Sequence, residues 1–118
     1  MPNRLPPNSV EAEMHLLGSM LLVLTRAQLA EILAIVRSAD LFQEDHRLIF
    51  DAIVEIYQRG LPVDAMVVRE NLMRRGFLEE VGGVEYLAAI LNSVPDASDA
   101  VKLARAVRDW ADRRRLER

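Results

Sequence analysis

Apolar residues recur along this chain at three- and four-residue spacing, and no segment alternates with the two-residue period of a half-buried strand. The spacing predicts a first helix entered after Pro6-Pro7, where Asn8 and Glu11 read as a capping box, and continuing to about Leu24. Its apolar stripe is Val10, Met14, Leu17 and Leu21. Gly18 interrupts it at a cost of roughly 1 kcal/mol against alanine, so a neighbouring helix is expected to pack closely there. Thr25 with Gln28 is a second capping box and opens a helix with Leu29, Ile32, Leu33 and Val36 inward. Asp40-Leu41-Phe42 reads as a tight turn that pins Phe42 into the core. A third helix is expected from Glu44 to a left-handed cap at Gly60, followed by Pro62, with Ile49, Ile53, Ile56 and Tyr57 on its inner face. Asp64 caps a weaker fourth helix reaching Arg75, with Val67, Val68 and Leu72 inward, and Gly76 stops it. Leu78 and Val81 then lie in a short link that ends at Gly82-Gly83.

The last third forms a separate pattern. Val84, Leu87, Ile90 and Leu91 make one stripe that ends at Val94-Pro95. Asp96 to Asp99 is a turn rich in capping side chains, and a long helix follows with Ala100, Leu103, Ala104, Val107 and Ala111 in register. Two helices joined by so short a turn make an antiparallel αα-hairpin. The expected fold is therefore all-α: a flexible segment over 1–7, a compact head of about four helices over 8–81, and a C-terminal hairpin over 82–118. Two helices alone leave an apolar seam half covered. The seam would comprise Leu87, Ile90, Leu91, Leu103 and Val107, with Trp110 either anchoring an interface or covering it. Either the hairpin folds back on the head or the seam meets another chain. The Gly82-Gly83 hinge and a change in charge favour the second.

That change is a reversal of sign. Residues 99–118 carry seven basic and four acidic side chains, a net of +3, and residues 1–98 carry eight and fourteen, a net of −6. An acidic body argues against wrapping duplex DNA, because nonspecific affinity comes from neutralising phosphates. The chain has 118 residues, a length suited to one domain. At 51% hydrophobic but 5% aromatic, its core must be mainly aliphatic. There is no cysteine, which excludes disulfides, thiolate metal sites and a cysteine nucleophile. Met1–Pro7 has no apolar run and does not read as a signal peptide, and the longest apolar stretch, Tyr86–Leu91, is too short to span a bilayer. A cytoplasmic protein with no membrane partner is expected.

The candidate chemistry is sparse. His15 and His46 lie on different predicted helices without a second His or Cys ligand, so hydrogen bonding in the core or at the surface is favoured over metal binding. Glu11/Glu13 and Glu79/Glu80 are too close in sequence to share a helix face, and they read as solvated capping residues. A phosphate-binding loop needs a lysine directly after a glycine, but the only lysine, Lys102, follows Val101 inside a helix. No dinucleotide fingerprint and no Gly-x-Ser-x-Gly elbow is present. A catalytically inert chain with no catalytic residue, cofactor or metal is expected. Arg113-Arg114-Arg115 can face the negative end of the last helix, and Asp109 and Asp112 are spaced to pair with it.

Five motifs in order then resemble the N-terminal domain of bacterial replicative DNA helicases of the DnaB type. They are Pro6-Pro7-Asn8-Ser9-Val10-Glu11-Ala12-Glu13 with Leu16-Leu17-Gly18-Ser19-Met20-Leu21; Asp40-Leu41-Phe42 with His46-Arg47-Leu48-Ile49-Phe50-Asp51-Ala52-Ile53; Gly60-Leu61-Pro62-Val63-Asp64; Gly76-x-Leu78-Glu79-Glu80-Val81-Gly82-Gly83 with Tyr86-Leu87; and Val94-Pro95 with Ala104-Arg105-Ala106-Val107-Arg108 and Arg114-Arg115-Leu116. The resemblance implies a helical head plus hairpin, with hairpins pairing between subunits into a collar on a hexameric ring. The collar would bind the helicase-binding domain of primase. By motif match, the primase contacts would be Glu11, Tyr86 and Glu117. The motor, with its ATP and Mg2+, would follow a linker that begins near Arg118, and the parent would unwind DNA and contact single strands. Trp110, Asp112 and Glu117 depart from the usual family pattern at the end of the hairpin. The alternatives are a stand-alone helical adaptor or helicase loader, and a helix-turn-helix DNA-binding module using the Arg113 cluster.

Overall fold

A computed structural model describes residues 10–22, 24–94 and 99–116. Among them the chain forms six α-helices and one 3-10 turn, with no strand. The helices are α1 (Val10–Leu21), α2 (Arg26–Ile35), α3 (Glu44–Gln58), α4 (Ala65–Arg74), α5 (Gly83–Asn92) and α6 (Ala100–Leu116), and the 3-10 turn is Ser38–Asp40. The expected cap at Asn8, the helix end at residue 95, residues 96–98 of the expected hairpin turn, and Glu117 lie outside the described residues, as does the 1–7 segment.

The helix starts follow their capping chemistry. Thr25 Oγ1 accepts the Gln28 N–H at 3.1 Å while Gln28 Oε1 accepts the Thr25 N–H at 2.8 Å, closing the expected box. Asp64 accepts the Val67 N–H at 2.9 Å and opens α4. Gly60 ends α3 with φ +77°, a left-handed conformation that a side chain would strain.

The centre of the molecule is α1. It packs against α3, α5 and α6, so its buried residues cover most of its circumference: Ala12, Glu13, Leu16, Leu17, Gly18, Ser19, Met20 and Leu21. The expected single stripe is too narrow, since a helix enclosed on several sides has no solvent face to keep polar. Gly18 behaves as its sequence context predicts. A Cβ there would lie 2.6 Å from the carbonyl oxygen of Ile90 and would also strike the Val94 side chain, so α1 and α5 meet backbone to backbone.

Two expectations are corrected. Phe42 is 44% exposed, and Leu41 takes the interior position instead. The 3-10 turn shifts which side chain of the adjacent pair points inward, and the Phe42 ring lies outside against the Arg114 guanidinium, 5.5 Å from its centroid. The last two helices also do not stand apart with an open seam. Both lie on α1, and α6 reaches α2 and the 3-10 turn. The radius of gyration, 13.5 Å, is that of about 118 residues packed as one body. Ala100, Ala104, Val107, Trp110 and Ala111 form the buried stripe of α6, whose alanines allow a close approach to the body.

Candidate functional site

The most unusual feature of the interior is polar. Glu13 on α1 is 2% exposed and His46, in the first turn of α3, is fully buried. The Glu13 carboxylate accepts the Phe42 N–H at 2.5 Å and the Gln43 N–H at 3.4 Å, satisfying backbone donors just before α3. It also meets His46 Nδ1 at 2.8 Å. On the other side of the ring, His46 Nε2 lies 2.6 Å from the Tyr86 hydroxyl. A carboxylate cannot donate, so Nδ1 carries the hydrogen and Nε2 accepts from the Tyr86 O–H; this tautomer is assigned from the network. The imidazole and phenol rings stack at 5.8 Å between centroids, 11° from parallel.

Local backbone chemistry places the tyrosine. Gly82 caps α5 with φ +107°, and a Cβ there would sit 2.7 Å from Tyr86 Cβ, so only glycine leaves room for the ring. Gly82, one of the pair expected to act as a hinge, thus fits the Tyr86 side chain closely. Burial pushes the Tyr86 hydroxyl above its ordinary pKa, and the negative charges of Asp45 and Glu13 push the same way. Gln43 opposes them through a hydrogen bond. The Gln43 amide is itself held by Asp45 at 2.6 Å.

Glu13 corrects the expectation of a solvated capping residue. The missed signal is register: Leu16, Leu17 and Met20 follow Glu13 at three, four and seven positions, which places it on the inner face. His46 stands likewise three, seven and ten positions before Ile49, Ile53 and Ile56. A polar residue in phase with an apolar stripe is a buried polar residue, and it needs partners.

A second polar cluster pins the end of α6. The nearly buried Asp40 carboxylate accepts the Arg37 N–H at 2.8 Å and Arg115 Nη2 at 2.6 Å. Arg114 Nη2 donates to the Asp40 carbonyl at 2.7 Å. Asp112 pairs with Arg108 and Arg115, each at 3.1 Å, and Arg108 also reaches the Ile35 carbonyl at 3.2 Å, at the end of α2. Hydrogen bonding to Asp40 raises the pKa of Arg115 further. The arginine cluster was expected to face its own helix end; Arg114 and Arg115 instead fasten α6 to the 3-10 turn, where the Asp40 carbonyl and its buried carboxylate attract them.

The expected site residues separate. Glu11 is 79% exposed, with His15 Nε2 4.0 Å away. Tyr86 is half-buried with its hydroxyl turned inward, and Glu117 lies outside the described residues. Of the expected seam, Leu87, Ile90, Val107 and Trp110 are buried within this chain, and Leu91 and Leu103 are half-buried. The open seam is corrected: α1 covers much of what a second chain was expected to cover. Leu87 and Leu91 also line, with Met66 and Val84, a groove of about 260 Å³ between α4 and α5.

Among the described residues no three His, Cys, Asp or Glu side chains converge on a metal position, and no helix is long and apolar enough to cross a membrane. The residues define an all-helical domain whose buried polar groups tie helices together. The chain belongs to the DnaB-like helicase N-terminal domain family, whose model matches residues 5–109. It is 40% identical over 113 residues to the replicative DNA helicase DnaB of Mycobacterium leprae (strain TN), covering 96% of this chain and 18% of that protein. It is 38% identical over 116 residues to the replicative DNA helicase DnaC of Bacillus subtilis (strain 168), covering 98% and 25%. The crystal structure of the N-terminal domain of DnaB helicase from Mycobacterium tuberculosis superposes with a TM-score of 0.88 at 38% identity, covering 95% of this chain and 80% of that one. The chain spans 18% to 25% of the length of these curated relatives.

Proposed function

We propose that this chain is the collar of a cytoplasmic replicative DNA helicase, supporting ring assembly and binding the helicase-binding domain of primase. The observation that carries this reading is that nearly the whole chain aligns with a small part of proteins named replicative DNA helicases. ATP and Mg2+ would act in a separate motor of the parent, which unwinds DNA and contacts single strands. This chain contributes contacts instead of catalysis. Glu11 offers an exposed carboxylate, and Tyr86 offers an aromatic face held in one orientation by His46. Ring assembly would use surface that stays accessible in the folded chain, which includes parts of Leu91 on α5 and of Leu103 on α6.

The test is calorimetric titration of the chain with the helicase-binding domain of a DnaB-family primase. Saturable binding that weakens at least about ten-fold, or 1.4 kcal/mol, in Glu11→Lys and in Tyr86→Ala is expected. Absence of binding by the wild-type chain rejects the primase reading. Sedimentation at high micromolar concentration reads self-association, and a strictly monomeric chain rejects pairing without the ring. Saturable ATP binding would reject the inert reading.

A further inference from the structure

The two polar clusters share one loop. From Tyr86, hydrogen bonds run through His46 at 2.6 Å and Glu13 at 2.8 Å to the Phe42 N–H at 2.5 Å. On the far side of the same loop, Arg114 holds the Asp40 carbonyl at 2.7 Å and lies over the Phe42 ring, while Arg115 holds the Asp40 carboxylate at 2.6 Å. Arg47 fixes the loop between them, donating to the carbonyls of Leu41 at 2.8 Å and Phe42 at 3.1 Å. Residues 40–43 are thus gripped from α1 and α3 on one side and from α6 on the other.

We infer that Glu13, His46 and Asp40 are positioning residues in a continuous polar chain that couples the orientation of Tyr86 to the last turn of α6. Glu13 and His46 are sealed from water, so a bond lost at one end cannot be replaced by solvent. If the Tyr86 hydroxyl turns away, His46 Nε2 exchanges a 2.6 Å donor for the Gln43 amide alone, 3.5 Å away. The imidazole and carboxylate then re-pair, and the Phe42 N–H shifts with them. That movement passes through Leu41 to Asp40, whose carbonyl seats Arg114 and whose carboxylate seats Arg115. Coupling of this kind is reciprocal, so loosening α6 must also reach Tyr86. Its functional meaning rests on reading Tyr86 as a partner contact: occupancy at α5 would be reported at the end of the described chain. The coupling itself is a property of the free protein and is tested without a partner.

Amide hydrogen exchange and ring resonances, both followed by NMR on the full chain, provide the test. Tyr86→Phe deletes only the hydroxyl. Exchange at Phe42, Gln43 and the last turn of α6 is expected to rise about five- to ten-fold, with Val67 at the start of α4 unchanged. Arg115→Gln is expected to shift the Tyr86 ring resonances. In the double variant, the fold-change at Phe42 should fall short of the product of the single ones. His46→Gln, which keeps a donor and an acceptor, should preserve the response of Tyr86 to Arg115→Gln; His46→Leu should abolish it. Multiplicative effects, or changes confined to α5, overturn the coupling. If Tyr86→Phe fails to fold, an unmoved Tyr86 ring in Arg115→Gln overturns it alone. A wild-type chain that ignores the primase domain yet shows these couplings refutes the partner contact and leaves the coupling standing.

Discussion

The two ends of α1 solve the same problem in opposite ways. Toward its C-terminus, Leu16, Leu17, Met20 and Leu21 bury aliphatic surface, and Gly18 lets α5 approach to backbone contact. Toward its N-terminus, Glu13 enters the same interior and is matched by backbone N–H groups and an imidazole. The aliphatic half gains from area removed from water and asks only that shapes fit. The polar half gains little net and demands that every partner be present.

The comparison breaks most severely if a charge is placed in the aliphatic half. Ile90 is fully buried where α5 meets α1, so Ile90→Asp should cost more than about 4 kcal/mol and abolish helicity throughout the chain, as read by circular dichroism. A folded Ile90→Asp chain would show that α5 is not integral to the core. Removing the charge from the polar half comes next. Glu13→Ala strips the Phe42 and Gln43 amides and His46 of their acceptor, and urea unfolding should register a loss of about 3 kcal/mol. Gly18→Ala gains about 1 kcal/mol of helix propensity, but its methyl meets the Ile90 carbonyl. A net loss of about 2 kcal/mol is expected from the displaced backbone.

The smallest effect sharpens the contrast by pH. Tyr86 has its pKa raised above 10.0 in the folded chain, so the folded state holds that proton more tightly than the unfolded one. The resulting stability is fully present below pH 10.0 and is lost as pH rises through the folded value. Tyr86→Phe should cost about 1 kcal/mol at neutral pH by losing one hydrogen bond, and its stability should fall less steeply in alkali. An unchanged alkaline slope in Tyr86→Phe would assign the titration to another group.

Much of the aliphatic half was legible because burial of a helix face has a period. Ile49, Ile53 and Ile56, the caps at Thr25 and Asp64, and the close approach at Gly18 all follow from spacing or local chemistry. Phe42 was not, since two adjacent apolar residues carry no phase and the 3-10 turn decides between them. The docking of α6 was hidden for a different reason. Its basic surplus pointed to another molecule, yet the Asp40 that receives Arg115 stands 75 residues earlier in the same chain. The Glu13–His46–Tyr86 array combined both difficulties. Its register was readable on α1 and on α3 separately, but the meeting of residues 33 and 40 positions apart was not.

The buried carboxylate also bears on the order in which the chain assembles. Local helices form quickly, while contacts between distant segments wait for loop closure. Glu13 gains nothing from leaving water until the amides of Phe42 and Gln43 and the ring of His46 have arrived. The N-terminal half of α1 is therefore expected to seat late, after α3 and the loop before it have formed, with its aliphatic half engaged earlier. In a folding experiment, substitutions at Leu17 would slow collapse, whereas substitutions at Glu13 would chiefly speed unfolding. The same helix would be nucleus at one end and latch at the other.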